Sequence, residues 1–317
     1  MSPGMTRTGY NQPVRVLSLP EIRRTLVYPE LIAAMREALA AQGRGECDTP
    51  MPMHLAPPGS EVHIKSSYRR GGRYFALKIA GTFPANAAHG RSTSTGMMLL
   101  SSAETGDPVA ILADSGYLTD IRTAAVAAMI ARELGRRDTV LGILGTGIQA
   151  RLQAVLHAEV LPLDHIVLWG RTPDHAAHCG REIRESLPGR DVTVVSSPAE
   201  VARCARLIVT ATASRAPLLA ASDIQPGTHI SAVGADSPGK QELDPSIPRC
   251  ASLILADSRR QCAVLGELQH APEQVERAVE FTGAPLQAAP DEITVADFTG
   301  LGVEDLFIAE YVYGRCH

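Results

Sequence analysis

The hexapeptide Gly145-Thr146-Gly147-Ile148-Gln149-Ala150 follows the apolar run Val140–Leu144 directly and precedes a helix-prone stretch. In that setting each small residue has a task. Gly145 allows a tight turn, Gly147 lets a pyrophosphate approach the backbone, and Ala150 lets the helix pack closely; the helix start offers unpaired N–H groups to phosphate. A dinucleotide fold with a free ribose hydroxyl places an acid at the end of its second strand, about 20 positions on. Here Trp169-Gly170-Arg171-Thr172 supplies a guanidinium and a hydroxyl instead. That favours NADP(H) over NAD(H), because the guanidinium matches a 2'-phosphate and no carboxylate repels it. The alternative for Arg171 is stacking on adenine or plain solvation.

Two more segments end apolar strands at what would be the ligand-bearing edge of such a sheet: Thr210-Ala211-Thr212 after Leu207, and Val233-Gly234-Ala235-Asp236 after His229. A carboxylate at Asp236 is suited to move a proton at a reacting carbon or nitrogen. Composition alone equally supports an Asx turn, since Ser237, Pro238 and Gly239 follow. Lys78 lies in a strand where Phe75, Leu77 and Ile79 share one face, so it projects from the other, beside Ala76 and Ala80. Arg122 stands near the start of a helix, where the helix dipole does not favour a cation. A substrate carboxylate would account for both charges, as would ordinary solvation.

These residues need a frame that brings strand ends together. From Val140 onward short apolar strands alternate with helices, which predicts an α/β, Rossmann-type doubly wound parallel sheet. Ahead of it a helix over Leu31–Leu39, a hairpin from His63 to Ala80, and strands Met97–Leu100 and Val109–Ala113 predict a helix-plus-sheet domain. The helix Asp120–Leu134, stopped by Gly135, bridges the two. The composition fits: 317 residues, 45% of them hydrophobic, are enough for two cores. A net charge of -4 gives no basic face for nucleic acid. No stretch approaches the about 18 apolar residues of a membrane span, and no signal-like run opens the chain, so a cytoplasmic protein is expected. Six scattered cysteines and ten histidines form no ligand spacing, so no metal is expected.

Taken together, Leu77-Lys78 with Pro84-Ala85-Asn86, Gly90 to Gly96 containing Thr93, Thr105-Gly106-Asp107-Pro108, Leu118-Thr119 with Arg122-Thr123-Ala124-Ala125, Gly145 to Ala150, Gly234-Ala235-Asp236, and Asp297-Phe298-Thr299-Gly300-Leu301-Gly302 resemble the ornithine cyclodeaminase and μ-crystallin family. That family also contains alanine dehydrogenases and ketimine reductases. The resemblance implies a homodimer, an α+β dimerisation and substrate domain made from both chain ends (1–120 with 293–317), a nucleotide domain between them (121–292), and an active site in the cleft. It implies that Lys78 and Arg122 hold the substrate carboxylate and that Asp236 is the acid/base. Thr93, Thr119 and Gly300 would line the nicotinamide end, with Thr123 nearby. One departure stands out: where the family commonly has an arginine after a proline, this chain has His54, with Lys65, Arg69, Arg70 and Arg73 as nearby cations. The leading expectation is NAD(P)H-dependent reduction of an imino acid, or the reverse. The alternatives are an ornithine cyclodeaminase with recycled NAD and a binder of NADP(H) and a small ligand without turnover.

Overall fold

Two sheets organise the protein. The structure is a computed structural model that describes residues 13–316, and they divide into two units. One takes 13–26, 46–119 and 302–316; the other takes 27–45 and 120–301.

In the first unit the strands Glu61–Arg69 and Tyr74–Thr82 form an antiparallel hairpin, extended by Ser94–Ser102 and Pro108–Ala113. Arg15–Ser18 closes one edge in parallel, and Cys47–Asp48 and Met53–Leu55 both pair with Glu61–Arg69 at the other. The expected turns are present, with Gly71 and Gly106 at φ 77°, a conformation glycine adopts without strain. Helix Gly302–Tyr313 packs on the hairpin. Gly302 is needed there: a Cβ on it would stand 2.3 Å from the Ser66 carbonyl oxygen.

Alternation in Tyr74–Thr82 is as expected, yet its faces are used in an unusual sense. Ala76 and Lys78 point under the helix, whereas Ile79 is 43% exposed and the neighbouring Met97 49%. Met53, Leu55 and Phe75 are also exposed. In this unit, then, the polar residue is inside and an apolar face is outside, the reverse of a sheet with one solvated face.

The second unit carries seven parallel strands in the order Asp191–Val194, His165–Trp169, Val140–Leu144, Leu207–Thr210, His229–Ala232, Thr294–Asp297, Leu253–Ala256. The order reverses between Val140–Leu144 and Leu207–Thr210, the place where such sheets open a crevice for ligands. The α/β doubly wound expectation is met in this unit, and the first unit is α+β.

The chain is shared out differently from the expected limits of 1–120 with 293–317. Thr294–Asp297 is buried along its whole length and pairs on both sides in the parallel sheet, as a strand of a sheet covered on both faces does. Helix Tyr28–Gly43 also groups with the second unit. Arg36 pairs with Glu133 at 3.1 Å, and a Cβ on Gly43 would meet the Phe281 carbonyl oxygen at 2.3 Å. The bridging helix runs from Tyr117 to Glu133 and ends before Gly135 at φ 70°. It starts three residues earlier than expected because the Asp114 carboxylate accepts from Leu118 N at 2.7 Å, a capping acceptor of the usual kind. Among the described residues no helix is long and apolar enough to cross a membrane.

Candidate functional site

At the reversal point of the parallel sheet lies a crevice of about 410 Å³. Its walls are Gly145, Thr146 and Gly147 from one strand end, Trp169 to Thr172 with His175 from the next, and Ala211 to Ser214 with Leu218 from the third. Two glycines fit the shape required. Gly145 has φ 133° and a Cβ there would stand 2.4 Å from the Ala211 carbonyl oxygen, while a Cβ on Gly147 would project into open space. Helix Ile148–Val160 begins there with Gly147 as its N-cap and no side chain capping it. Its first N–H groups are therefore available to an anion. A dinucleotide fits this donor set: phosphates at Gly145–Gly147, and a ribose end against Arg171, Thr172 and His175, with no carboxylate among the lining residues.

Of the other positions singled out in the hexapeptide, Ala150 is fully buried under the helix, Ile148 is exposed, and Gln149 donates through Nε2 to the Asp120 carbonyl at 2.9 Å. Thr210 lies below the crevice floor, and beneath it is a carboxylate that the sequence did not announce. Glu242, wholly buried, accepts from Thr210 Oγ1 at 2.7 Å, Thr212 N at 2.6 Å and Gly234 N at 3.0 Å. It ties together the two loops that carry Ala211–Thr212 and Val233–Gly234. The pattern then repeats. Glu267 accepts from Glu242 N and Leu243 N at 2.8 and 3.1 Å, and Asp297 accepts from Glu267 N and Leu268 N, both at 3.0 Å. Asp257 completes the series, accepting from Ser258 N, Thr299 N and Gly300 N, each at 2.7 Å. Burial pushes Glu242 and Asp297 up to about 7. Burial, then repulsion from Asp297 and Glu242, pushes Glu267 up to about 9.

The end of this ladder is where Arg122 lies. Arg122 is 3% exposed, donates to Thr123 Oγ1 at 2.6 Å, and packs on Gly300, whose φ is 73°. A Cβ on Gly300 would sit 2.7 Å from both terminal guanidinium nitrogens. Gln261 Nε2 donates to Thr299 Oγ1 and to the Gly300 carbonyl at 2.8 and 2.9 Å, so that turn is held from two sides. Arg122, Thr123 and Gly300 are thus brought together. Asp236 lies on the loop beyond His229–Ala232, with Lys240 Nζ at 2.6 Å and Ser237 Oγ donating at 3.2 Å. Lys240 was not singled out from the sequence, although acid and lysine four residues apart was the signal for it.

In the first unit Lys78 is 2% exposed and its Nζ lies 2.8 Å from Asp305 on the covering helix. Removing one partner of a buried pair costs about 3–5 kcal/mol, so Asp305 fixes the ammonium in place. Asp114, pushed up to about 6 by burial, is also within electrostatic reach of Lys78. His54 is exposed on the edge strand Met53–Leu55, its ring centroid 4.4 Å from that of His63. Thr93 is exposed in the turn before Ser94–Ser102, where its carbonyl accepts from Phe83 N at 2.7 Å. Thr119 is half-buried in the first turn of Tyr117–Glu133.

The profile of the ornithine cyclodeaminase/mu-crystallin family matches residues 14–317. A Delta(1)-pyrroline-2-carboxylate reductase of Bacillus cereus is 30% identical over 317 residues, 95% of this chain and 96% of that protein. An ornithine cyclodeaminase of Agrobacterium fabrum is 32% identical over 251 residues, 77% of this chain and 70% of that one. Among solved structures, an archaeal alanine dehydrogenase dimer with bound NAD superposes with a TM-score of 0.87 at 29% identity, covering 95% of each chain.

Proposed function

The chain belongs to the ornithine cyclodeaminase/mu-crystallin family, and from that premise we propose that it is an NAD(P)H-dependent oxidoreductase that reduces an imino acid to an amino acid, or runs the reverse. The observation that carries this reading is the crevice over Gly145–Gly147, shaped for a dinucleotide and floored by loops that Glu242 holds. Relatives named as a pyrroline-2-carboxylate reductase and as an NAD-bound alanine dehydrogenase support the reaction class. When bound, the reduced nicotinamide supplies the hydride.

The chain's own groups do the rest. Arg122, backed by Thr123 and Gly300, offers its guanidinium to the substrate carboxylate. Lys78, fixed by Asp305, is assigned to the same carboxylate, and the one proton that the imine nitrogen takes up comes from Lys78 or Asp236. Asp236 is the acid/base, and Lys240 beside it is a source for its proton. Thr93, Thr119 and Gly300 are assigned to the nicotinamide end. His54, exposed beside His63, is the weakest member of the proposed carboxylate set.

NADP(H) is the proposed preference, on the strength of Arg171, Thr172 and His175 with no acid among the crevice walls. Replacing Arg171 by Ala is expected to raise KM for NADPH about tenfold or more, the loss of a charge-assisted contact, with KM for NADH little changed. A homodimer is also proposed, using the apolar face of Phe75, Ile79 and Met97; light scattering that gives only the 33.7 kDa chain mass would overturn it.

The test of the reaction is consumption of NADPH or NADH with imines formed from pyruvate and ammonia or methylamine, with pyrroline-2-carboxylate and with piperideine-2-carboxylate. Loss of reduced-cofactor absorbance with one of them is expected. Conversion of ornithine to proline with no change in absorbance would make the chain a cyclodeaminase instead. Binding of NADPH with no turnover on either panel would make it a binder.

A further inference from the structure

An acid/base acts only if it is held where the reacting nitrogen will stand, and a displacement of about 1 Å lowers a rate about 10²-fold. Asp236 is not held by burial: 38% of its side chain is exposed. It opens a turn that closes with Lys240 N donating to the Ser237 carbonyl at 3.2 Å, and exposed turns of this kind ordinarily leave their other backbone groups to water. Here a side chain takes them. Gln269 Oε1 accepts from Gly239 N at 2.8 Å, and its Nε2 lies 3.2 Å from the Lys240 carbonyl oxygen and 3.4 Å from that of Ser237. His270 Nε2 donates to the same Lys240 carbonyl at 2.9 Å, and Arg215 Nη1 to the Pro238 carbonyl at 3.2 Å. Each residue from Ser237 to Lys240 thus has a backbone group gripped from outside the turn.

Gln269 can serve as a clamp because the segment it stands on is itself anchored. It belongs to the short 3-10 helix Glu267–His270. The Asp297 carboxylate holds the first two N–H groups of that helix, and a Cβ on the preceding Gly266 would stand 2.5 Å from both Asp297 oxygens. Gln269 Nε2 also donates to the Gly266 carbonyl at 2.9 Å, which fixes the direction of the amide. Ordering so long a side chain removes rotamer freedom that its hydrogen bonds only modestly outweigh. Its value therefore lies in the geometry of the turn more than in the stability of the fold.

We propose that Gln269 is a positioning residue for Asp236, acting through the backbone of the turn Asp236–Lys240. This rests on the imino-acid reading above. Because Gln269 grips the turn and not the crevice, its loss lowers kcat and leaves KM for the dinucleotide nearly untouched.

The experiment compares wild-type protein with Gln269→Met, which keeps the length and removes the hydrogen bonds, and with Gln269→Glu. An ionised carboxylate has no proton to offer the Gly266 and Lys240 carbonyls, whereas a protonated carboxyl carries one donor and one acceptor, as the amide does. Dinucleotide binding and thermal melting check that each variant folds, and Gln269→Ala replaces Gln269→Met if methionine is not tolerated. At about pH 8 both variants should lose about tenfold or more in kcat on the best imine of the panel, with KM for NADPH changed less than about threefold. Relative to wild type at the same pH, Gln269→Glu should recover towards about pH 5, where carboxyls take up protons, and Gln269→Met should not. Hydrogen exchange read by mass spectrometry should be faster over 236–240 in Gln269→Met than in wild type.

An unchanged kcat overturns the assignment, whatever the exchange. So does exchange at the wild-type rate, a Glu variant with no recovery in acid, or a rise in KM for NADPH as large as the fall in kcat. A wild-type protein that reduces no imine leaves exchange to decide: faster exchange in Gln269→Met then defeats only the reaction. Loss of kcat in Asp236→Asn beside a wild-type rate in Gln269→Met defeats only this assignment.

Discussion

At the scale of single residues, chemistry was legible where a residue type clashed with its local setting. Lys78 in an apolar strand and Arg122 at a helix start are such cases, and both prove buried. The acids that hold them in place were not legible. Asp305 lies 227 positions from Lys78, and Asp257 reaches Gly300 across 43; no spacing rule spans those distances. Asp236 shows the limit from the other side. Its neighbours Ser237, Pro238 and Gly239 read as a turn, and the structure does place a turn there, Lys240 N donating to the Ser237 carbonyl at 3.2 Å. A turn and an acid/base are compatible, because the turn brings Lys240 Nζ to the carboxylate. Asp236→Asn is therefore expected to lower kcat by about 10²- to 10⁴-fold while dinucleotide affinity stays at the wild-type value. Steady-state rates paired with a fluorescence titration of NADPH check this, and near-normal kcat would remove Asp236 from the mechanism.

Elements were easier to read than their neighbours in space. Strand–glycine loop–helix at Val140–Val160 was evident from apolar run, glycines and Ala150 in order, and the structure has strand Val140–Leu144 and helix Ile148–Val160. Thr294–Asp297 overlaps the short run Ile293–Val295, and a run that short carries no signal for which sheet it joins. The strands Arg215–Leu219 and Gln241–Leu243, a small parallel pair, were not expected at all; neither shows an alternation that would reveal it. The glycine loop yields the prediction that belongs at this scale. In Gly145→Ala the new methyl would press on the Ala211 carbonyl from a left-handed backbone. A loss of about 1–3 kcal/mol of stability is expected, with weaker NADPH binding, measurable by denaturant melts and titration. An Ala variant with unchanged affinity would mean that the loop does not have to close on the Leu207–Thr210 strand end to hold phosphate.

The molecule as a whole combines two groups of buried titratable side chains that pull stability in opposite directions with pH. Glu242, Asp297 and Glu267 have folded values of about 7, 7 and 9, raised by burial above ordinary values of 4.5 or 3.8. The stability they contribute is full below those ordinary values and is lost as pH rises through 7 to 9. His157 and His229 are lowered by burial to about 4 and 3 from 6.5. Their contribution is full above 6.5 and is lost as pH falls towards 3 to 4. The melting temperature should therefore peak between about pH 4.5 and 6.5 and decline on both sides. Glu267→Gln should flatten the alkaline side, and a wild-type melting temperature still rising from pH 7 to 9 would contradict the ladder.

The sheet order has a further consequence for how the chain is made. Leu253–Ala256 leaves the ribosome before Thr294–Asp297, the strand that joins it to the rest of the parallel sheet. For the interval in which the intervening residues are synthesised, a buried-type apolar strand has no ladder to enter, and His229–Ala232 presents an open edge. Such edges are where nascent chains associate wrongly. Because Gly302–Tyr313 arrives later still, the hairpin bearing Lys65 and Lys78 also waits for its cover. Each unit is completed only by residues that follow Ile293, so a chain cut before Thr294 leaves the His229–Ala232 edge open and the hairpin uncovered.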